Sequence, residues 1–362
     1  MTVILSFLLA LGLSLILTPA IISLAKKYKL VDDPRRRPHP ATIHKRIIPR
    51  AGGVAIFLAF LITALLTLPM SQKLLGVILG GLILIAVGII DDRRDLKSYW
   101  KILAQILAAL IVVGSGIGIS FITNPFSLLG LTNASMDVIR LDEYRIFFDF
   151  FGPHSIIILA DLFALFWIVW VINMVNFSSG VDGQMPGIVL ITLMVIFAAS
   201  LRFPGDQSQM IVSALSLIGA GATLGFLFYN FYPAKIFPGD SGSYFLGFLV
   251  ATLAILSGAK VGTAILVMAI PLLDGVFTVI RRLAEGKSPF VGDRKHLHHR
   301  LLELGWGQRR IALFYYLVCA ILGAAALTLH SAEKLFAAVI VAIIVLGGLL
   351  WLNMTLPIEA RK

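Results

Sequence analysis

Cysteine is almost missing from this chain, charge is scarce, and acidic residues are fewer than basic ones. A single cysteine, Cys319, excludes an intrachain disulfide. Its apolar neighbours mark it as a packing residue rather than a redox centre. Charged residues make up 14% of the sequence and hydrophobic ones 59%, whereas a soluble domain carries about 25% charge. So much apolar surface excludes a water-soluble globule and demands a bilayer. The 30 basic residues outnumber 19 acidic ones, for a net charge of +11. Such an excess would suit nucleic acid, but in a membrane chain the placement of lysine and arginine matters more than their sum. No nucleic-acid partner is expected.

What is present is a series of apolar runs. A transmembrane helix takes about 20 mainly apolar residues, and runs of this kind occupy 3–25, 51–69, 74–90, 99–121, 155–174, 187–203, 209–229, 240–257, 260–280, 311–330 and 333–355. Sorting lysine and arginine into alternate loops places 24 on one side and six on the other. Basic loops are cytoplasmic. The expected fold is an all-α polytopic membrane protein of about 11 transmembrane helices, forming a single domain over 1–362, with the N-terminus outside and the C-terminus cytoplasmic. The run 3–25 is too long for the apolar part of a signal peptide and lacks a basic segment before it, so it is expected as a retained first span. The largest outside segment, 122–154, alternates partially over 136–150 and suits a hairpin or interfacial element. On the inside, 281–310 forms a basic loop.

The unusual polar residues gather on the basic side. Ionisable groups at span ends tend to face a cavity or one another, because lipid exposure is costly; one shared cytoplasmic cleft is expected. Asp91, Asp92 and Asp95 close one span, where adjacent carboxylates repel and prefer a nearby cation. A solvated helix end neutralised by Arg93 and Arg94 would look the same. Asn173, Asn176, Ser179, Gly180, Asp182 and Gly183 interrupt another span. Asn and Asp oxygens suit Mg²⁺, although a plain turn also favours these residues.

Phe237-Pro-Gly239-Asp240-Ser241 opens a further span, and a helix N-terminus suits phosphate. Asp240 could equally serve as an N-cap. Asp293-Arg294-Lys295-His296-Leu-His298-His299-Arg300 lacks a cysteine partner or an HExxH pattern for zinc. It reads better as a pyrophosphate clamp, against the alternative of a solvated charge run. Lys45 and Arg50 in the first inside loop suit phosphates and anionic lipid equally well.

In order and spacing, these blocks closely resemble the polyprenyl-phosphate N-acetylhexosamine-1-phosphate transferases over about residues 29–305. That superfamily includes the initiators of O-antigen and teichoic-acid synthesis and the phospho-MurNAc-pentapeptide translocase. The segment Pro49–Gly53 is more similar to the O-antigen and teichoic-acid branch. The resemblance implies that Asp91 and Asp92 lie near the acceptor phosphate and that Asn176 and Asp240 contact the metal. It makes Asp182 a nucleotide-side carboxylate, Phe237 a uracil-stacking ring and Lys45 a phosphate ligand. His296, His298 and His299 match the histidine motif beside the pyrophosphate.

Asn173, Arg50, Arg294 and Arg300 complete the expected substrate contacts. The implied cofactor is Mg²⁺, with Mn²⁺ as the alternative. The implied substrates are a UDP-N-acetylhexosamine and polyprenyl phosphate, in a bacterial inner membrane with the site facing the cytoplasm; a homodimer is compatible with this assignment. Many members carry Asp-Gly where this chain has Ser179-Gly180. A hydroxyl cannot replace that charge, so either the carboxylate is dispensable or donor recognition differs. A nucleotide-sugar or lipid transporter is the competing class, and it should show internal repeats and polar residues near the midplane.

Overall fold

In a computed structural model, residues 2–35, 43–124, 138–149, 153–203, 205–257, 261–288 and 293–355 are described. The helices are α1 (Thr2–Lys27), α2 (Gly52–Thr67), α3 (Gln72–Arg94), α4 (Ser98–Gly114), α5 (Ile158–Phe177), α6 (Gln184–Ser200) and α7 (Gln207–Asn230). They continue as α8 (Gly239–Leu256), α9 (Val261–Val267), α10 (Ala269–Ala284), α11 (Leu297–Glu303), α12 (Gln308–Thr328) and α13 (Ser331–Thr355).

Each expected apolar run coincides with helix, but the runs are not equivalent. Seven helices are long and apolar enough to cross a membrane, or eight if α9 and α10 form one bent span. α2, α4 and α6 have 16 or 17 residues. At about 1.5 Å per residue they are roughly 25 Å long, short of a hydrocarbon core of about 30 Å.

The expected continuous run 260–280 is corrected to two helices that meet at 82°. Pro271 supplies the reason: proline cannot donate a backbone hydrogen bond, and its ring clashes with the carbonyl four residues earlier. That carbonyl belongs to Val267, where α9 stops. The run 99–121 is likewise shorter than expected, because α4 ends at Gly114 and Gly116 adopts φ 83°.

The all-α expectation is corrected by three two-stranded antiparallel sheets. β1 (Val31–Asp32) pairs with β2 (Ile48–Pro49), β3 (Phe121–Thr123) with β4 (Val138–Arg140), and β5 (Arg145–Asp149) with β6 (Pro153–Ile157). The last two pairs fall in the segment expected to form a hairpin, of which 125–137 and 150–152 lie outside the described residues. In the inside loop 281–310, residues 289–292 also lie outside them.

α8 forms the centre. In its spanning stretch 89% of the residues are buried, against 11% for α13 at the periphery. α3, α5 and α2 pack on α8. The α3 crossing depends on Gly88, whose missing Cβ would stand 2.3 Å from the Ser241 Cα. No larger side chain lets the backbones approach so closely. This crossing sets the C-terminus of α3 directly against the N-terminus of α8.

Candidate active site

Three carboxylates meet at that crossing. Asp92, at the last turn of α3, accepts hydrogen bonds from the Asp240 backbone N–H at 2.9 Å, the Ser241 N–H at 3.4 Å and the Ser241 hydroxyl at 3.1 Å. It therefore caps α8 from another helix, satisfying donors that an α-helix leaves open at its start. Its side chain is fully buried, and Arg50 Nε lies 3.3 Å from Oδ1. The left-handed turn at Gly239, φ 68°, brings the α8 backbone onto this carboxylate.

Asp240 keeps 19% of its side chain exposed. The Asn176 amide donates to its Oδ1 at 2.8 Å, and Arg50 Nη2 donates to Oδ2 at 3.4 Å. Arg50 thus bridges two carboxylates. Burial works against its charge, but Asp92 and then Asp240 more than compensate, raising its pKa above the ordinary arginine value. The same Asn176 amide reaches the Ser243 hydroxyl at 2.7 Å.

Asp91 pairs with Lys101 Nζ at 2.7 Å and accepts from the Tyr244 hydroxyl at 3.1 Å and the Leu96 N–H at 2.8 Å. It also interacts with Asp240. Lys101 and Tyr244 were not singled out from the sequence. Both lie in otherwise apolar helices, and only the α3–α4 and α3–α8 packing reveals their role.

A second wall comes from the histidines. His296 Nδ1 lies 3.0 Å from Asp274 Oδ2 on α10 and contacts the Thr278 hydroxyl at 3.3 Å. Its ring stands 5.6 Å from Phe177 at the end of α5 and stacks on His298 at 5.5 Å. His298 fills the space beside Gly180, where a Cβ would fall 1.8 Å from Nε2. His299 packs on His298 at 4.3 Å. Asp293 is held below the usual carboxylate range: burial opposes this, but hydrogen bonds from Arg282 and Arg281 prevail.

His298 is buried, and its Nδ1 has no partner among the described residues. Burial first, then the neighbouring His299 and His296, push its pKa well below the ordinary value. Below a pH of about 6.5, the ordinary imidazole pKa, the unfolded chain takes up a proton that the folded chain refuses. Stability from this group is complete above that pH and falls as the medium becomes more acid. In detergent, the unfolding temperature of wild type should therefore drop more between pH 7 and pH 5 than that of His298→Leu. Equal drops in both proteins would show that His298 does not carry this dependence.

Asp182 sits between α5 and α6. Its Oδ2 accepts from the Ala234 N–H at 2.8 Å, while its own N–H donates to the Gln308 side chain at 3.1 Å. Burial raises its pKa, against the opposing effects of Ala234, His44 and Arg46. Phe237 is half-buried and takes His44 edge-on at 5.1 Å. Lys45 and Arg294 are exposed. Ser179 is exposed too, its hydroxyl donating to the Asn176 carbonyl at 2.6 Å. Asn173 lies one turn earlier on α5 than Asn176, its amide donating to Gln105 Oε1 on α4 at 2.7 Å.

Arg300 stands apart from the carboxylates. It is buried, with Nη2 on Asn353 Oδ1 at 2.7 Å and Nη1 on Glu303 at 2.7 Å. Its guanidinium ties α11 to α13 and has no hydrogen bond to Asp91, Asp92 or Asp240 among the described residues.

The described residues contain no ready-made cage of three His, Cys, Asp or Glu ligands. The oxygen donors nevertheless fit Mg²⁺, which is commonly held by one or two carboxylates plus substrate phosphates while keeping several waters. Asp240 is partly open beside Asn176, while Lys101 pairs with Asp91 and Arg50 bridges Asp92 and Asp240. One surplus negative charge remains among these five groups.

Residues 74–258 match the family model described as "Glycosyl transferase family 4". The chain is 32% identical over 337 residues to the "Probable undecaprenyl-phosphate N-acetylglucosaminyl 1-phosphate transferase" of Bacillus subtilis, covering 91% of this chain and 86% of that protein. It is 32% identical to the "Decaprenyl-phosphate N-acetylglucosaminephosphotransferase" of Mycobacterium tuberculosis, covering 90% and 82%. The "Phospho-N-acetylmuramoyl-pentapeptide-transferase" of Bacillus subtilis is 30% identical, covering 89% of this chain and 95% of that protein.

Proposed function

The chain belongs to glycosyl transferase family 4, and from that premise we propose that it transfers N-acetylglucosamine 1-phosphate from UDP-GlcNAc to undecaprenyl phosphate. UMP is released, and the lipid carries the first sugar of a cell-surface polymer. The reading takes α2, α4 and α6 as spans along with the seven longer helices and the bent α9–α10 pair, making eleven. The N-terminus is then outside and the carboxylate end faces the cytoplasm of a bacterial cell. The observation that carries the proposal is the convergence of Asp91, Asp92, Asp240, Asn176 and Arg50 where apolar helices end.

The acceptor is a phosphate monoester with a second pKa of about 6, so it is mostly dianionic at neutral pH. It needs no strong base. One of its oxygens bonds to the β-phosphorus of the donor, and the bond from that phosphorus to the bridging oxygen breaks. The bond electrons leave on UMP. Asp91, steadied by Lys101 and Tyr244, positions the acceptor. Asp92 is enclosed, with both oxygens hydrogen-bonded, which favours direct attack over a phospho-Asp92 intermediate. The histidine wall stabilises charge on the diphosphate, and Asp182 with Phe237 holds the uridine. Asp240 and Asn176 would hold Mg²⁺, which when bound neutralises diphosphate charge.

The test is UMP release by purified protein given Mg²⁺, undecaprenyl phosphate and UDP-GlcNAc, beside Asp240→Ala. Release should require all three additions and fall by at least about a hundredfold in the variant. Release only with UDP-MurNAc-pentapeptide would move the chain to the peptidoglycan reaction. A folded protein that releases UMP from no donor would sink the transferase reading and favour transport.

A further inference from the structure

A second polar site lies at the same end of the bundle, outside the carboxylate cluster. A cavity of about 330 Å³ opens between the ends of α10 and α13, beside α11. One side is cationic, lined by Arg281, Lys295 and Arg300 with Glu285 as the acidic member. The lining counts three cations to one carboxylate, and outside it Asp293 pairs with Arg281 at 2.7 Å and Glu303 with Arg300 at 2.7 Å. Glu285 is shared by Arg281 Nη1 at 3.2 Å and Lys295 Nζ at 2.7 Å. Arg281 Nε is buried and lacks a partner among the described residues, so this guanidinium retains unused hydrogen-bonding capacity.

The other side is apolar and outward-facing. Ile280 is 62% exposed, Leu350 52% and Met354 84%. These residues flank the cavity on α10 and on α13, the least buried of the candidate spans. Cations at the end of a membrane helix, above an apolar flank left exposed by the described residues, match an amphiphile whose phosphate sits at the interface and whose tails lie along the helices. Basic pockets between membrane helices bind anionic lipid headgroups in this way.

We propose that the α10–α11–α13 cavity is a binding site for an anionic phospholipid of the bilayer, separate from the site of phosphosugar transfer. Its lining includes Lys295 and Arg300, which bracket the three histidines, so the lipid lies against the histidine segment. Retention of the lipid does not depend on turnover, so this inference can fail while the transferase reading stands, and the reverse.

Purified, delipidated full-length protein would be titrated with phosphatidylglycerol and with phosphatidylcholine, counting bound lipid by native mass spectrometry. Phosphatidylglycerol should be retained preferentially. Lys295→Ala should weaken it by about fivefold, the effect of one basic residue near a membrane surface. Met354→Trp, which fills the apolar flank without changing charge, should weaken it as well. Lys27→Ala, a cation at the end of α1, and Asp240→Ala should leave it unchanged.

Equal retention of both lipids would overturn the proposal, as would variants at Lys295 and Met354 that bind like wild type. A loss in Lys27→Ala matching that in Lys295→Ala would replace the site with diffuse surface attraction. Displacement of the lipid by soluble glycerol phosphate would identify a free-phosphate site instead.

Discussion

Asp92→Ala is expected to destabilise the protein by about 3–5 kcal/mol, the usual result of removing one partner from a buried ion pair. Arg50 would lose its partner at 3.3 Å, and the first turn of α8 would lose its cap. Asp92→Asn should lie between wild type and alanine: the amide keeps one acceptor oxygen but not the charge that Arg50 faces. Chemical unfolding in detergent orders the three proteins. If Asp92→Ala were as stable as wild type and lost only turnover, Asp92 would be a reacting group rather than the residue that places Asp240.

Gly239→Ala is expected to damage activity more than stability. Glycine alone adopts φ 68° without strain, and a left-handed alanine costs about 1–2 kcal/mol. The larger consequence is positional, since the new Cβ would fall 2.3 Å from Asp92 Oδ2 and 2.7 Å from Oδ1. Either the cap or the start of α8 must shift, carrying Asp240 with it. A misplacement of about 1 Å can cost roughly a hundredfold in rate, so kcat should fall by about that factor while the protein still unfolds cooperatively. Near-normal kcat would mean that the site tolerates movement of Asp240.

The apolar runs made the helices legible, because burial in lipid writes itself into composition. The gathering of polar blocks on the basic side was legible too, and the structure brings Asp91, Asp92, Asn176, Asp240 and the histidines to one end of the bundle. The partners were not legible. Arg50 reads as a phosphate ligand in a basic loop, yet it bridges Asp92 and Asp240, a pairing fixed only where α2, α3 and α8 cross.

Arg300 shares a loop with the histidines but turns to Asn353, because α13 packs beside α11. The break before α10 had a signal in Pro271, which hydropathy alone passes over. The lengths of α2, α4 and α6 were obscured in the same way: an apolar window does not record where a helix stops.

The most direct measurement follows the donor's phosphorus. UDP-GlcNAc labelled at the β-phosphate would be incubated with the protein, Mg²⁺ and undecaprenyl phosphate, and the lipid extracted. Transfer of the phosphosugar predicts label in the lipid fraction and unlabelled UMP in the aqueous one. Labelled UDP in the aqueous fraction, with sugar but no label in the lipid, would mean that the sugar–oxygen bond breaks instead, contradicting the reaction proposed for this site.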